Sequence, residues 1–200
     1  SDAMANIAET TERDERGAQR YRESWGGAAT RQLFSRLPVW LVVDDHEFDD
    51  NLDGADNATA DSLRGQRFFN GFLAATAYQS RFHRKDLPRL SLTPKGWTVE
   101  RGLWHEFDVG GIPAFAADTR TERSARTLRN WRDAHIMGER QMEAIERWLL
   151  AHPKGPKLLC SGSVFALPEK RFVAEPATCL AADNWLGYPA SWRRLVRFIV

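Results

Sequence analysis

Residues 39–47 read Val-Trp-Leu-Val-Val-Asp-Asp-His-Glu, an apolar and partly β-branched run that breaks directly into acid. A continuous run of this kind predicts a strand over Val39–Val43 buried on both faces, as in the parallel or mixed sheets of α/β proteins. Open α/β sheets place their ligand sites at strand ends. The acid that follows is therefore the first candidate site. Residues 44–56 hold seven carboxylates and one histidine, with no lysine or arginine before Arg64. Two carboxylates about 4 Å apart repel by ~1 kcal/mol in water and by about 4 kcal/mol near a protein surface. Such a loop is either fully solvated or holds a hard cation, whose preferred ligands are carboxylate oxygens. Asp49, Asn51, Asp53 and Gly54 match the opening of a calcium loop of the EF-hand kind, but Ala60 stands where that loop needs a bidentate glutamate. The element before it also reads as a strand rather than the required helix.

Working outward, Tyr21–Leu37 reads as a helix interrupted at Gly26-Gly27, and a helix capped by Thr59 or Asp61 places Phe69, Phe72, Leu73 and Thr76 on one face. Pro88, Pro94 and Gly96 mark an irregular stretch. Leu103–Val109 and Ile112–Ala117 read as strands joined at Gly110-Gly111. Met142, Ile145 and Leu149 define a helix that ends before Pro153, and Lys157–Cys160 a short strand. Pro189 opens a last helix with Trp192, Leu195, Val196 and Ile199 on one face.

A chain of 200 residues, 42% hydrophobic and 28% charged, is ordinary for a soluble globular domain, and a net charge of +1 supplies no global field for nucleic acid or an anionic membrane. No apolar stretch approaches the roughly 20 residues that cross a bilayer. No targeting segment is visible, so location in the cell is left open. Cys160 and Cys179 fit neither a disulfide framework nor a zinc motif.

Val43-Asp44-Asp45-His46-Glu47 resembles the Asp-Asp-His-Glu signature of the alkaline phosphatase D (PhoD-like) family of metallophosphoesterases. Further stretches follow in that family's order: Arg20-Tyr21 with Trp25, Ala117-Asp118-Thr119-Arg120, Gly138 with Gln141 and Trp148-Leu149, Cys160-Ser161, and Asp183-Asn184-Trp185-Leu186-Gly187-Tyr188-Pro189. The resemblance divides the chain into a polar segment, 1–19, and a partial PhoD-like domain, 20–200. It implies part of a mixed β-sandwich flanked by helices, and hydrolysis of a phosphate ester with a pair of metal ions, among calcium, manganese, iron or zinc. By the same resemblance Asp45 is a metal ligand and His46 the catalytic group facing the phosphoryl oxygen, with Asp44, Glu47 and Asp118 holding the loop by hydrogen bonds. Arg120 is either a phosphate clamp or a structural ion pair, and Trp185 and Tyr188 either line the pocket mouth or pack in the core. The family's early metal-binding aspartate, its Gly-Asp motif and its Ser-Gly-Asp-Val-His-like motif have no counterpart here, so an incomplete ligand set is expected. The alternative is a non-catalytic truncated relative that binds a cation and self-associates as a homo-oligomer.

Arg120, Arg123, Arg126, Arg129 and Arg132 recur every third residue. On a helix that period drifts by about 60° per step, so the expectation is a solvated basic surface, with recognition of an anionic polymer as the other reading.

Overall fold

The computed structural model describes residues 18–19, 21–48, 52–53, 59, 62–80, 86–165 and 175–199. Its elements are α1 (Ala28–Arg36), α2 (Leu63–Ala75), β1 (Arg89–Thr93), β2 (Gly96–Arg101), β3 (His105–Val109), β4 (Ile112–Ala117), α3 (Glu139–Ala151), β5 (Leu158–Ser161), α4 (Pro176–Ala181) and α5 (Pro189–Ile199). The chain is mixed α/β, as its sequence predicts. β4 is the middle strand of a three-stranded sheet, antiparallel to β3 and parallel to β5. Gly110 and Gly111, at φ of +61° and +89°, adopt the left-handed values that a two-residue hairpin of this twist needs at both central positions. They pair Val109 with Ile112.

β4 is buried from Ala114 to Ala117, which is why its sequence is apolar rather than alternating. α3 covers this sheet with Met142, Ala144, Ile145 and Trp148, and α5 adds Leu195 to the same cluster. Arg194 ties the two helices by forked hydrogen bonds to Glu146 and Glu139 at 2.7–3.0 Å. A second cluster gathers Val43, Phe48, Leu52, Phe68, Phe72, Ala75 and Leu103 around α2.

Five expectations are corrected. Val39–Val43 is not a strand: a strand needs a place in a ladder, and this run belongs to neither sheet of the described residues. The stretch marked by Pro88, Pro94 and Gly96, read as irregular, lies in the β1–β2 hairpin, which pairs Arg89–Thr93 with Gly96–Arg101. Its turn, Thr93-Pro94-Lys95-Gly96, places proline and glycine where a type I turn favours them, and the alternation of Leu90 and Leu92 with Trp97 and Val99 was the available signal. α2 is capped by Ser62, whose Oγ accepts the Gly65 N–H at 2.9 Å, rather than by Thr59; Asp61 lies outside the described residues. α2 buries Phe68, Phe72 and Ala75 while Leu73 is exposed. On α5, Ile199 is likewise exposed.

Candidate active site around the Asp44–Glu47 turn

Asp45–Glu47 form one 3₁₀ turn with Asp44 as its N-cap, and Asp44 and Glu47 close a capping box. Glu47 Oε2 accepts the Asp44 N–H at 2.8 Å, and its Oε1 accepts from Gln79 Nε2 at 3.0 Å. Gln79 also donates to the Tyr21 hydroxyl at 2.8 Å, and Tyr21 stacks on Tyr78. The upstream helical turn is thereby joined to the acidic turn through one amide. α2 crosses beneath at Gly71, where a Cβ would lie 2.4 Å from the Glu47 carbonyl oxygen. Only glycine permits that approach. The chain after β5 passes equally close: a Cβ on Gly162 would meet the Val43 carbonyl at 2.3 Å.

The result is a turn held from several sides with its members facing differently. Asp45 is buried and accepts its neighbour His46 N–H at 3.0 Å, while the His46 side chain is exposed. Asp44 accepts from Arg120 Nε at 2.7 Å and Nη2 at 2.5 Å. The Arg120 side chain is only 3% exposed, and its Nη1 donates to both oxygens of Asp183 at 2.9 and 2.8 Å. Burial works against its charge, but the hydrogen bonds and charge of Asp183, with Asp44 and Asp45, outweigh it and hold the guanidinium more firmly protonated than usual. Arg120 is therefore engaged in ion pairs, the structural alternative that its sequence context left open.

Arg123, expected at a solvated surface, is buried too, and the side chain of Arg126, expected there as well, is only 7% exposed. Residues 118–127 are turns and irregular chain rather than helix, so the drift argument does not apply to them. Arg123 donates to Asp183 Oδ1 at 2.5 Å, to Ser163 Oγ at 2.7 Å and to the Thr119 carbonyl. Arg126 reaches the Cys179 and Ala182 carbonyls, and Gly187 leaves room for its guanidinium. Arg123 and Arg126 flank the Tyr188 ring at 5.2 and 4.5 Å from its centroid, a cation–π arrangement. Tyr188 is fully buried and donates its hydroxyl to Asp53 Oδ1 at 3.2 Å. Burial pushes this phenol up to about 12, with Asp53 adding to the effect and the two arginines opposing it. Trp185 is also fully buried, its Nε1 donating to Ser161 Oγ at 3.1 Å. Both aromatics stand behind the arginines, in the packed interior.

Asp118, at the end of β4, is surrounded by neutral donors: the N–H groups of Leu103, Arg120 and Thr121 and the Thr121 hydroxyl. Its own backbone is paired at both N–H and C=O by the Gln141 side-chain amide, each at 2.7 Å. α3 is docked on the sheet end in this way, and Asp118 fixes the start of the loop that delivers Arg120. The structure thus brings Asp44, Asp45, Glu47 and Arg120 together, with His46 at the exposed tip. Asp118 sits one step behind, and Trp185 and Tyr188 beneath. Asp183, Arg123 and Gln141 were each quoted in the sequence reading, but none was given a role in the site.

A family model described as PhoD-like phosphatase matches residues 4–200. The chain belongs to this family. No curated protein and no solved structure gives a significant match. Phosphatase-type chemistry follows from membership, and PhoD-like proteins are generally metal-dependent. Among the described residues, however, no group of three or more His, Cys, Asp or Glu side chains is placed to hold a metal ion. Asp44 is committed to Arg120. The described part of the PhoD-like site does not by itself fit a metal pair. No helix among the described residues is long and apolar enough to cross a membrane.

Proposed function

We propose that this chain is a metal-dependent phosphate ester hydrolase of the PhoD type that carries part of the ligand set, with Asp45 as a metal ligand and His46 as the catalytic group. The observation that carries the reading is the division of labour in the Asp44–Glu47 turn. Asp44 and Glu47 are used up in holding it, Asp45 is buried beside them, and His46 projects into solvent. An exposed imidazole on an anchored turn is suited to donate a hydrogen bond to an anionic phosphoryl oxygen as charge develops there. Asp44, Glu47 and Asp118 act through the hydrogen bonds described, Arg120 orients Asp44, and Trp185 and Tyr188 support the arginines from below. The domain is assigned to residues 20–200, with 1–19 as a polar lead-in.

The test is hydrolysis of a chromogenic phosphate monoester and diester by the chain, with calcium, manganese, iron or zinc added in turn, beside His46→Ala. Turnover that depends on the metal and falls by about 10²–10³-fold in the variant is the expected result. Turnover unchanged in His46→Ala overturns the assignment of that residue.

A second reading is a non-catalytic relative that binds a cation and self-associates, for which the exposed Leu33 and Leu37 at the end of α1 are apolar side chains that a second copy would cover. Sedimentation showing only monomer removes it.

A further inference from the structure

We propose that Asp183 is a positioning residue for the Asp44–Glu47 turn, acting through Arg120; the inference rests on the reading of that turn as the hydrolytic site. Arg120 is planar and offers donors along two edges. One edge, Nε and Nη2, closes on a single oxygen of Asp44; Nη1 meets both oxygens of Asp183. Asp44 and Asp183 lie 76 and 63 residues from Arg120 in the chain, so this guanidinium is the direct link between the turn and the Asp183–Pro189 stretch. Because the fork is rigid, the direction in which Asp183 holds one edge sets where the other edge places Asp44, and with it Asp45 and His46.

Asp183 is itself prevented from swinging. Its Oδ1 takes a second guanidinium, that of Arg123, whose side chain has no exposure and is fixed to Ser163 Oγ and the Thr119 carbonyl. Ser163 Oγ in turn meets Thr119 Oγ1 at 2.9 Å. Two guanidiniums face three carboxylates, Asp44, Asp45 and Asp183. Arg120 Nη2 stands 3.9 Å from Asp45 Oδ1, beyond hydrogen-bond distance but close enough to be drawn in. Removing the charge of Asp183 frees Nη1 and lets the guanidinium turn towards Asp45, which displaces the turn. A residue that only filled space would not do this, because the effect depends on charge and on two acceptor oxygens rather than on volume.

The experiment compares the wild-type chain with Asp183→Asn, Asp183→Glu and Arg120→Lys by amide hydrogen exchange, reading residues 44–48 against β4, and by steady-state hydrolysis of the chromogenic ester. In Asp183→Asn, exchange over 44–48 is expected to rise about tenfold more than in β4, a differential opening of about 1.4 kcal/mol, and kcat to fall while KM holds. Asp183→Glu restores both. Arg120→Lys, which keeps the charge but loses the fork, shows the same local rise and decides the matter if Asp183→Asn does not fold. Equal acceleration over 44–48 and β4, or no acceleration, overturns the proposal, as does a failure of Asp183→Glu to restore protection. A wild-type chain without turnover under any metal counts against the hydrolytic reading, while the exchange result still decides the positioning role.

Discussion

Arg120, Arg123 and Arg126 lie on one side of a divide that Arg129 and Arg132 do not cross. All five follow the same three-residue spacing. The first three are buried against Asp44, Asp183, Tyr188 and backbone carbonyls, and the last two are exposed. What separates them is the chain beneath. After Asp118 the backbone runs between the Asp44 turn and the Asp183 stretch, where carboxylates wait on both sides; residues 127–130 are exposed, and the chain returns to the core at Trp131 and Ala134 with Arg132 left facing out. A periodic charge pattern therefore says little about burial. Buried guanidiniums need dedicated acceptors, because the desolvation of an ion is recovered only through excellent geometry.

The sharpest way to break the comparison is Arg123→Ala. The side chain is fully buried, and its loss removes one of the two guanidiniums on Asp183 and a donor to Ser163 Oγ and to the Thr119 carbonyl. Removing one partner of a buried charge network costs about 3–5 kcal/mol. Urea denaturation should show a midpoint lowered accordingly, or no folded protein. A loss under about 1 kcal/mol would mean that the cluster behaves as a surface network and that the divide is not energetic.

The sheet was legible because its signals are local. Gly110-Gly111 between two apolar runs dictates a hairpin, and the Met142–Ile145 spacing dictates a helix face. The acidic turn drew attention because seven carboxylates without a cation need an explanation. Arg123 and Asp183 were not, since their meaning lies in contacts 60 residues apart in sequence, which no local pattern encodes. Val39–Val43 failed for a related reason: apolar, β-branched composition permits a strand, but ladder partners make one. α2 was misread by a rotation of its face, because Gly65 and Gly71, which carry no apolar side chain, mark the contact side.

Glu122 sharpens the comparison from within the same loop. It sits between Arg120 and Arg123 in sequence but lies against Gly102 and Gly138, in a cleft of about 570 Å³ shared with Trp104, Arg101 and Arg140. Burial pushes its carboxyl up to about 7, the charge of Asp118 adds to this, and Arg140 opposes it. The sign follows directly. With its folded value above its unfolded one, the native state holds the proton more tightly, so stability is greatest below the ordinary glutamate range and declines as pH rises towards about 7. Glu122→Gln should match wild type only below about pH 4, where the carboxyl is protonated in both folded and unfolded states. At pH 8 it should be more stable by about 1–2 kcal/mol, allowing for partial solvent access. Melting temperatures at the two pH values check this, and a variant less stable at pH 8 would show that the carboxylate is held by a cation after all.

The smallest effect is expected where the divide ends. Arg129→Ala and Arg132→Ala remove charges that reach solvent; Arg132 stacks on the Trp131 ring at 5.0 Å, worth about 0.5–1 kcal/mol at an exposed site, and Arg129 contributes its backbone N–H rather than its side chain to the Thr127 turn. Each variant should stay within about 0.5–1 kcal/mol of wild type in urea. If the pair instead weakens the protein as much as Arg123→Ala does, the surface that carries Arg129 and Arg132 is covered in solution. The arginine run would then be one continuous interface rather than a buried bolt followed by a solvated tail.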